Sequence, residues 1–444
     1  MGLTFKTGGV HPPQHKDTAG KPIVRMALPR SVSLLLSQHI GAPAEPVVAA
    51  GDAVVRGQLI AEAAGAVSAP IHTPISGKVV RIAEVKNSAG MPAKAVIIEA
   101  EEDDHIADEN RLKESPQEMD REVTPEKIRE IAGECGIVGL GGATFPSRIK
   151  LSPPKDMTID TIVINGAECE PYLTCDDALM RSQSDEIIAG IGLMMRASGA
   201  SRALIGIEDN KPEAIASMAA ACAGEEGMDV VALKTKYPQG GEKQLVQALT
   251  GRTIGSGCLP ASVGVIVHNV ATARALYRAV KFGEPVMERI ITVAGDVARP
   301  GNYLVPVGTR ISSVIDLAGG IREDEVKVIL GGPMMGRVAE NLDAPTVKGL
   351  SGIIVLSGAQ ARRHAPEPCI RCGECVTVCP MGLSPYLIST LSRLGRTDDA
   401  AAQGIADCME CGCCSYVCPA SRPILDFIRV GKQKLAADRK RNKK

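Results

Sequence analysis

The chain has 444 residues, a length that predicts three or four domains of about 100–200 residues each. Its 50 Lys and Arg nearly balance 51 Asp and Glu, so no overall charge draws it to nucleic acid and any such contact would have to be local; with no Trp, 6 Tyr and 4 Phe it also has few rings on which bases could stack. No apolar segment follows Met1 and no run of about 18 apolar residues occurs, which predicts a cytoplasmic chain without a membrane span.

The first 105 residues contain a polar segment and then a β-rich unit. The segment, residues 1–28, includes the run Gly-Gly-Val-His-Pro-Pro at 8–13. In residues 29–105, short Val- and Ile-rich runs alternate with Gly and Pro, which predicts a compact all-β unit. Its spacing resembles the barrel-sandwich hybrid of biotinyl and lipoyl carriers. The hairpin tip, at 69–72, has no Lys to carry such a group, so we expect a structural or docking role.

An acidic stretch follows the β-rich unit. Residues 101–122 hold ten acidic side chains and three basic ones, with almost no apolar periodicity. Such a composition favours a charged, solvated surface loop. We therefore expect an acidic linker at 106–122.

Segments of helical and of strand character alternate between residues 123 and 290. Three apolar runs have the length of buried strands: 161–166, 203–207 and 230–234. This alternation predicts a parallel sheet of Rossmann-like type. Residues 291–356 then change to two β runs around a Pro-Gly turn and a short helical stretch, which resembles the soluble-ligand-binding β-grasp (SLBB) family.

Nine of the fourteen cysteines lie in the last segment, 357–444. Two runs there, motif one (369–380) and motif two (408–419), share the spacing C-x2-C-x2-C-x3-C-P. In two-cluster ferredoxins the fourth cysteine of each run binds the other [4Fe–4S] cluster. The predicted ligands of cluster one are Cys369, Cys372, Cys375 and Cys418. Those of cluster two are Cys408, Cys411, Cys414 and Cys379.

The main alternative for these cysteines is zinc. Four-cysteine zinc sites usually consist of two C-x2-C pairs separated by a loop, so tight runs of four favour iron–sulfur clusters. Cys413 is left over and is interpreted as a small buried apolar residue. Between the motifs, Leu387, Leu391 and Leu394 have helical spacing and predict an α-helical ferredoxin domain.

The chain ends in a basic tail. Residues 429–444 carry eight Lys or Arg and one Asp. Two interpretations stay open: a solvated tail, or one that contacts anionic lipid or an acidic partner.

A glycine-rich run, Gly139-Leu140-Gly141-Gly142, can cradle a phosphate with its backbone amides, although such runs are more often tight turns. Three further segments follow it: NGAECEP (165–171), YPQGGEK (237–243) and HNVAT (268–272). The four segments, in this order, resemble the FMN- and NADH-binding subunit of respiratory complex I.

That resemblance implies a set of cofactor contacts. The implied FMN contacts are Gly139, Gly141, Gly142, Lys150, Asn165, Glu168, Tyr237, Gly240 and Asn269. The residues implied to face the nicotinamide nucleotide, NAD(H), are Phe145, Glu170 and Glu242. The family's Asp before the first Glu is Ala167 here, so one polar flavin contact is unmatched. Non-covalent FMN is expected, because the site offers amides and a Lys for one phosphate and shows no flavin-attachment motif.

The order of all these segments along nearly the whole chain resembles the RnfC family, whose members belong to the Rnf complex, a membrane-bound ion-translocating NAD:ferredoxin oxidoreductase. The resemblance implies electron transfer between NAD(H), FMN and two [4Fe–4S] clusters. It implies membrane and ferredoxin-like subunits as partners, and a peripheral place on the cytoplasmic face of the bacterial membrane. Two alternatives remain: a soluble flavin–iron–sulfur subunit of a hydrogenase or formate dehydrogenase, and a non-catalytic scaffold with structural clusters.

Overall fold

The computed structural model describes residues 2–119, 123–154, 157–322 and 326–441. The chain folds into a β-sandwich unit, a parallel α/β domain, a mixed-sheet domain and an α-helical cysteine-rich domain. The mixed α/β multidomain class predicted from the sequence is confirmed. None of the helices in these ranges is long and apolar enough to cross a membrane.

The N-terminal segment is built into two other domains. Phe5 is buried, Leu3 bridges to Leu233, and Val10 bridges to Tyr237. Strand β1 (Ile23–Arg25) then joins a sheet that is otherwise formed by residues 288–357. The segment therefore contacts both the α/β domain and the mixed-sheet domain.

The barrel-sandwich unit contains two small antiparallel sheets around one core. Its strands are β2 (Ser31–Leu35), β3 (Glu45–Pro46), β4 (Ala53–Val54), β5 (Leu59–Glu62), β6 (Ile71–His72), β7 (Gly77–Lys86) and β8 (Pro92–Glu99). One sheet has the order β2-β8-β7-β4 and the other β3-β5-β6. Val32, Ile60, Val79 and Ile98, from both sheets, are buried in the shared core.

The acidic stretch is not wholly a loop, and this part of the linker prediction is wrong. Helix α1 (Glu102–Arg111) forms there, and the Asp108 side chain on it is 2% exposed. Its carboxylate accepts hydrogen bonds from the Ser76 amide (2.6 Å) and hydroxyl (2.8 Å). The helix therefore packs on the barrel-sandwich unit through a polar contact. Residues 120–122 of the predicted linker lie outside the described residues.

The α/β domain has four parallel strands in the order β11-β10-β9-β12. Its elements are α2 (Pro125–Glu134), α3 (Ser147–Lys150), β9 (Thr161–Asn165), α4 (Cys175–Ser182), α5 (Ser184–Ser198), β10 (Arg202–Glu208), α6 (Pro212–Cys222), β11 (Met228–Leu233), α7 (Glu242–Thr250), β12 (Val265–Asn269) and α8 (Val270–Phe282). Side chains of β9 alternate between two cores: Ile162 and Ile164 face α5 and α8, whereas Val163 faces α7. The three predicted strands and the parallel sheet are confirmed.

The mixed-sheet domain is the predicted β-grasp-like unit. It contains β13 (Glu288–Gly295), β14 (Gly301–Pro306), α9 (Ile311–Leu317), β15 (Val326–Leu330), β16 (Arg337–Val338) and β17 (Gly352–Ser357). With β1 its sheet has the order β1-β14-β13-β17-β15-β16.

The C-terminal domain is helical, as predicted. Its helices are α10 (Gly358–Ala361), α11 (Glu374–Thr377), α12 (Pro385–Arg393), α13 (Thr397–Ala402), α14 (Cys413–Tyr416) and α15 (Ile424–Arg441). Residues 429–441 of the basic tail continue α15, whose Leu435 is buried against the domain core. Most of the tail is therefore helix rather than a free chain end, and residues 442–444 lie outside the described ranges.

Candidate functional site

The glycine-rich loop is held from both sides. The Gly139 amide donates to the Phe145 carbonyl (2.9 Å), which closes the loop on itself. The Leu140 amide donates to the Thr272 hydroxyl (2.9 Å), and the Arg289 guanidinium donates to the Leu140 carbonyl (2.8 Å). Gly141 and Gly142 are exposed at the tip, with Gly142 at φ +107°. The loop thus presents backbone amides to solvent on a fixed frame, an arrangement suited to an anion.

Two asparagines face this loop from the carboxyl ends of neighbouring strands. Asn165 ends β9 and Asn269 ends β12, and the two are in register. The Asn165 amide group donates to the Gly240 carbonyl (2.8 Å). Asn269 caps α8, and a side chain at Gly141 would place its Cβ 3.2 Å from the Asn269 Cβ. The carboxyl edge of a parallel sheet is where such folds bind their ligands.

Acidic groups lie beside these asparagines. Glu168, at φ +46°, accepts hydrogen bonds from the amides of Asp176 (2.7 Å) and Asp177 (3.1 Å) at the start of α4. The Asn269 side chain donates to the Asp176 carboxylate (2.6 Å). Burial, and then the charge of Glu168, raise the pKa of Asp176 to about 7. Glu168 therefore orders α4 as well as facing the site.

Lys150 and Glu242 form an ion pair, and Phe145 lies two residues before the short helix that carries Lys150. The Lys150 ammonium lies 3.3 Å from the Glu242 carboxylate and donates to the Val267 carbonyl (3.1 Å). Glu242 is the first residue of α7, and Phe145 is half-buried. The structure thus pairs a cation with a carboxylate at the start of α7.

Tyr237 and Glu170 point instead toward the cysteine-rich domain. The Tyr237 hydroxyl donates to the Cys411 carbonyl (2.8 Å) and lies 3.3 Å from the Glu170 carboxylate. Glu170 also accepts from the amides of Met334 (3.0 Å) and Met335 (2.8 Å), and burial raises its pKa. Both carboxylate oxygens thus have protein donors, so this geometry does not favour the expected contact of Glu170 with the nicotinamide, which stays a prediction.

Two lysines that the sequence analysis missed support the loop that carries Glu168 and Glu170. Lys16 donates to the carbonyls of Glu168 (2.9 Å), Glu170 (2.9 Å) and Leu173 (2.6 Å). Burial and then the charge of Lys211 lower the pKa of Lys16. Lys211 donates to the carbonyl of Ala167 (2.8 Å). No local pattern pointed to Lys16, because its partners lie more than 150 residues away in the chain.

The cysteines of the two motifs separate into two groups. Five cysteines line one cavity together with apolar side chains: the four predicted ligands Cys379, Cys408, Cys411 and Cys414, and also Cys413. Burial raises the pKa of Cys408 to about 11 and that of Cys414 to about 12. Crowded thiols with little exposure become thiolates when a metal compensates their charge, so the four predicted ligands fit a cluster.

The remaining four cysteines form the second group. Cys375 interacts electrostatically with Cys418, Cys372 and Cys369. Cys369 and Cys372 are exposed and Cys375 is buried. In both groups the fourth cysteine of one motif lies with the first three of the other. Cys413 is fully buried beside Tyr237 and Val10, in agreement with its interpretation as a buried apolar residue.

The N-terminal Gly-Gly pair packs against motif one. Gly8 has φ +64°, and a Cβ there would lie 2.6 Å from the Cys379 backbone. The Gly9 amide donates to the Val378 carbonyl (2.9 Å). Any side chain at Gly8 would collide with this backbone, which explains a glycine at that position.

Four family models match consecutive parts of the chain. They are the RnfC barrel sandwich hybrid domain at residues 3–103, the Nuo51 FMN-binding domain at 132–278, the SLBB domain at 290–338 and a 4Fe-4S dicluster domain at 362–419. The cofactor types expected from the sequence, FMN and [4Fe–4S] clusters, are therefore confirmed at the level of domain families.

Relatives match over the full length. One from Acetobacterium woodii, named as a subunit of the Na(+)-translocating ferredoxin:NAD(+) oxidoreductase complex, is 42% identical over 99% of this chain and 98% of its own. The chain belongs to the RnfC family. The RnfC relative in the proton-translocating complex of Clostridium ljungdahlii is 43% identical over 98% of this chain and 95% of its own, and the one from Pseudomonas aeruginosa is 38% identical over 98% and 56%.

A solved structure shares the fold. The crystal structure of an NAD+-reducing [NiFe]-hydrogenase in the air-oxidized state superposes with a TM-score of 0.50 and 19% identity, over 71% of this chain and 66% of that one. At this identity the likeness concerns the fold alone. Over that part of its length, this chain therefore shares its fold with a chain of the hydrogenase.

Proposed function

We propose that this chain is the electron-transfer subunit of a membrane-bound ion-translocating NAD:ferredoxin oxidoreductase. One observation carries the proposal: Tyr237 belongs to the segment whose Gly240 carbonyl accepts from Asn165, and its hydroxyl donates a hydrogen bond to the carbonyl of Cys411 in motif two. A flavin-type site and a cluster-type site are thus joined by a single side chain. The full-length relatives are named as subunits of such complexes.

FMN fits the loop at the carboxyl edge of the parallel sheet. When bound, it supplies the exchange of a hydride from NADH for single electrons that clusters accept. The residues that would hold it are Gly139, Gly141, Gly142, Lys150, Asn165, Glu168, Gly240 and Asn269. Tyr237 is a further expected contact, which its geometry does not favour because its buried hydroxyl donates to the Cys411 carbonyl. The exposed loop amides and Lys150 bind its phosphate, while the hydrogen-bonded Asn165 and Asn269 keep the floor of the site fixed.

NAD(H) binds at the mouth of the same site. Phe145 supplies a ring for stacking and Glu242 an acceptor for ribose or amide groups. The Lys150–Glu242 ion pair keeps the carboxylate near the mouth in the free protein. Glu170 lies toward the cysteine-rich domain, where its carboxylate accepts hydrogen bonds from the Tyr237 hydroxyl and from the backbone amides of residues 334 and 335.

The clusters are ligated in crossed fashion. Cys369, Cys372, Cys375 and Cys418 hold cluster one, and Cys408, Cys411, Cys414 and Cys379 hold cluster two. The cavity that Cys379 lines together with the cysteines of motif two supports this pairing. Amides of Leu383 and Glu410 donate to the sulfurs of Cys379 and Cys408 (both 3.4 Å), contacts that stabilise thiolate charge.

The partners follow from the names of the relatives. The chain assembles with the membrane and ferredoxin-like subunits of an Rnf complex, at the cytoplasmic face of the membrane and peripheral to it. The proposal includes no nucleic-acid partner, in keeping with the balanced charge of the chain.

The test is the cofactor content of the purified chain. Anaerobically isolated protein should contain iron and sulfide for two cubanes, and acid should release one FMN per chain. Deletion of the chain should abolish NADH-dependent ferredoxin reduction by membranes, with the other subunits still present. Protein without flavin would favour the scaffold alternative, and copurification with a hydrogenase or formate dehydrogenase would favour that assembly.

A further inference from the structure

The two cysteine motifs adopt the same local conformation. Arg371 in motif one and Glu410 in motif two have φ of +58° and +59°, and the glycines that follow the second cysteine, Gly373 and Gly412, have φ of +82° and +81°. Each turn leads into a four-residue helix, α11 or α14. Position by position, Ile370 of motif one corresponds to Met409 of motif two.

The turn of motif two is covered by the chain itself. Met409 packs on the segment 237–243 of the α/β domain, where its Cε is 2.6 Å from the position of a Cβ at Gly241. Tyr237 donates to Cys411, and Gly412 lies against the Met334 carbonyl. Cluster two therefore has the α/β domain on one side and the β-grasp-like domain on another.

The equivalent turn of motif one, residues 369–372, is exposed to solvent. Ile370 is 69% exposed, and Cys369, Arg371 and Cys372 are exposed as well. Within the described ranges 2–119, 123–154, 157–322 and 326–441, no backbone hydrogen bond links this turn to another domain, and Ile370 belongs to no buried apolar cluster. A large apolar side chain between two cluster ligands is thus left in solvent, whereas its counterpart Met409 is used for docking.

We propose that cluster two exchanges electrons with the flavin site and that cluster one exchanges them with a second protein, which docks on the turn 369–372 and carries a one-electron redox centre. This rests on the proposed function. Each step moves one electron: cluster two is oxidised as cluster one is reduced, and cluster one is reoxidised as the partner's centre is reduced. No proton or bond is involved, so closeness of the centres is the requirement.

The occupant is a redox partner rather than a second copy of this chain. Two copies joined at this turn would place cluster one of one copy against cluster one of the other, so the electron would have no further acceptor. In motif two, the counterpart turn packs against the α/β domain, which contains the flavin-type site. Docking on the motif one turn would do the same for cluster one, with Ile370 in the place that Met409 takes.

The docking arm of the test is Ile370→Glu in the assembled complex, with Leu259→Glu as the matched control. Because the loop that carries Leu259 is hydrogen-bonded to Asp407, next to Cys408, a second control is Met91→Glu; Met91 is 61% exposed on the barrel-sandwich unit. The Ile370 variant should keep both cluster spectra and NADH reduction of its flavin, but transfer to the rest of the complex should fall more than tenfold because a buried charge opposes docking. Met91→Glu should transfer at the unaltered rate. An unaltered rate in Ile370→Glu would overturn the docking surface.

The order of the clusters is tested by freeze-quench electron paramagnetic resonance of the NADH-reduced wild-type chain. The signal of cluster two should appear before that of cluster one, with Cys379→Ser and Cys418→Ser proteins as references for the two spectra. Appearance of cluster one first would overturn the order. If NADH reduces neither flavin nor clusters, the proposed function itself fails, which is a different outcome.

Discussion

Lys348 is a buried cation at the junction of three domains. Its ammonium donates to the carbonyls of Pro70, at the barrel-sandwich tip, and Gly136, in the α/β domain (both 2.8 Å). Burial lowers the pKa of Lys348 to about 7. The hairpin tip, for which a structural or docking role was predicted, thus contacts other domains of the same chain through Lys348.

Replacement of Lys348 should change how stability depends on pH. The unfolded chain keeps this proton up to about its ordinary pKa of 10.5, whereas the folded chain releases it near 7. Between these values the unfolded state binds more protons, so stability rises with pH. Lys348→Met should remove this rise in the thermal midpoint and cost about 1–3 kcal/mol for the unpaired carbonyls. The exposed Lys94→Met is the control, and an unchanged pH slope in Lys348→Met would contradict the account.

Crossed ligation makes a prediction for Cys379. Cys379→Ser should remove the electron paramagnetic resonance signal of cluster two and leave that of cluster one, because Cys369, Cys372 and Cys375 remain with Cys418. Flavin reduction by NADH should persist, since the flavin site uses none of these cysteines. Loss of the same signal in Cys379→Ser and in Cys369→Ser would mean that each motif holds its own cluster.

At the residue scale, the spacing of the cysteines could be interpreted from the sequence, whereas the direction in which a side chain points could not. The motif spacing predicted which cysteines the structure groups, because three ligands of each cluster follow a short local pattern and the rule for two-cluster ferredoxins assigns the fourth to the other motif. The side chain of Glu170 could not be oriented in the same way. Its donors, Tyr237 and the 334–335 amides, lie 67 or more residues away in the chain, and only the fold brings them close.

Helix α1 shows why an element can be missed. Its surface is mostly charged, so it has no apolar periodicity to announce it, and its contact with the barrel-sandwich unit is the hydrogen-bonded Asp108. Strands β9 and β10 were predicted because they are short, continuous apolar runs buried on both faces.

The same contact provides a test. Asp108→Ala would leave the Ser76 amide and hydroxyl without their acceptor, so the thermal midpoint should fall by the equivalent of about 1–3 kcal/mol. Cleavage by protease within 101–119 should become faster. Asp103→Ala, on the exposed face of the same helix, should do neither. Equal behaviour of the two variants would show that α1 is not held by Asp108.

The basic tail is tested by removal of its end only. Lys432 donates to the Cys408 carbonyl (2.8 Å) and Leu435 is buried, so a shorter truncation is needed to spare the ferredoxin domain. Loss of residues 438–444 should raise the fraction washed from membranes by salt, at about 1 kcal/mol per basic residue near an anionic surface. Iron content should stay constant as the control. Unchanged retention at every salt concentration would leave a solvated tail.

At the scale of the whole molecule, the types of domain and their order could be predicted from the sequence, but the contacts between domains could not. Periodicity and motif order identify each domain because both are local properties. The N-terminal segment carries no such signal, yet Gly8, Lys16 and β1 contact the cysteine motif, the flavin-site loop and the β-grasp-like sheet. Such long-range contacts depend on the folded surface of other domains.

The most direct test of the central claim is anaerobic addition of NADH to the purified chain, followed by absorption and electron paramagnetic resonance spectroscopy. The structure joins the flavin-type site to motif two through Tyr237, so NADH should bleach the flavin absorption and then produce the signals of two reduced [4Fe–4S] clusters. Flavin that is reduced while both clusters stay oxidised, with dithionite able to reduce them, would contradict an electron path from the flavin site to the clusters.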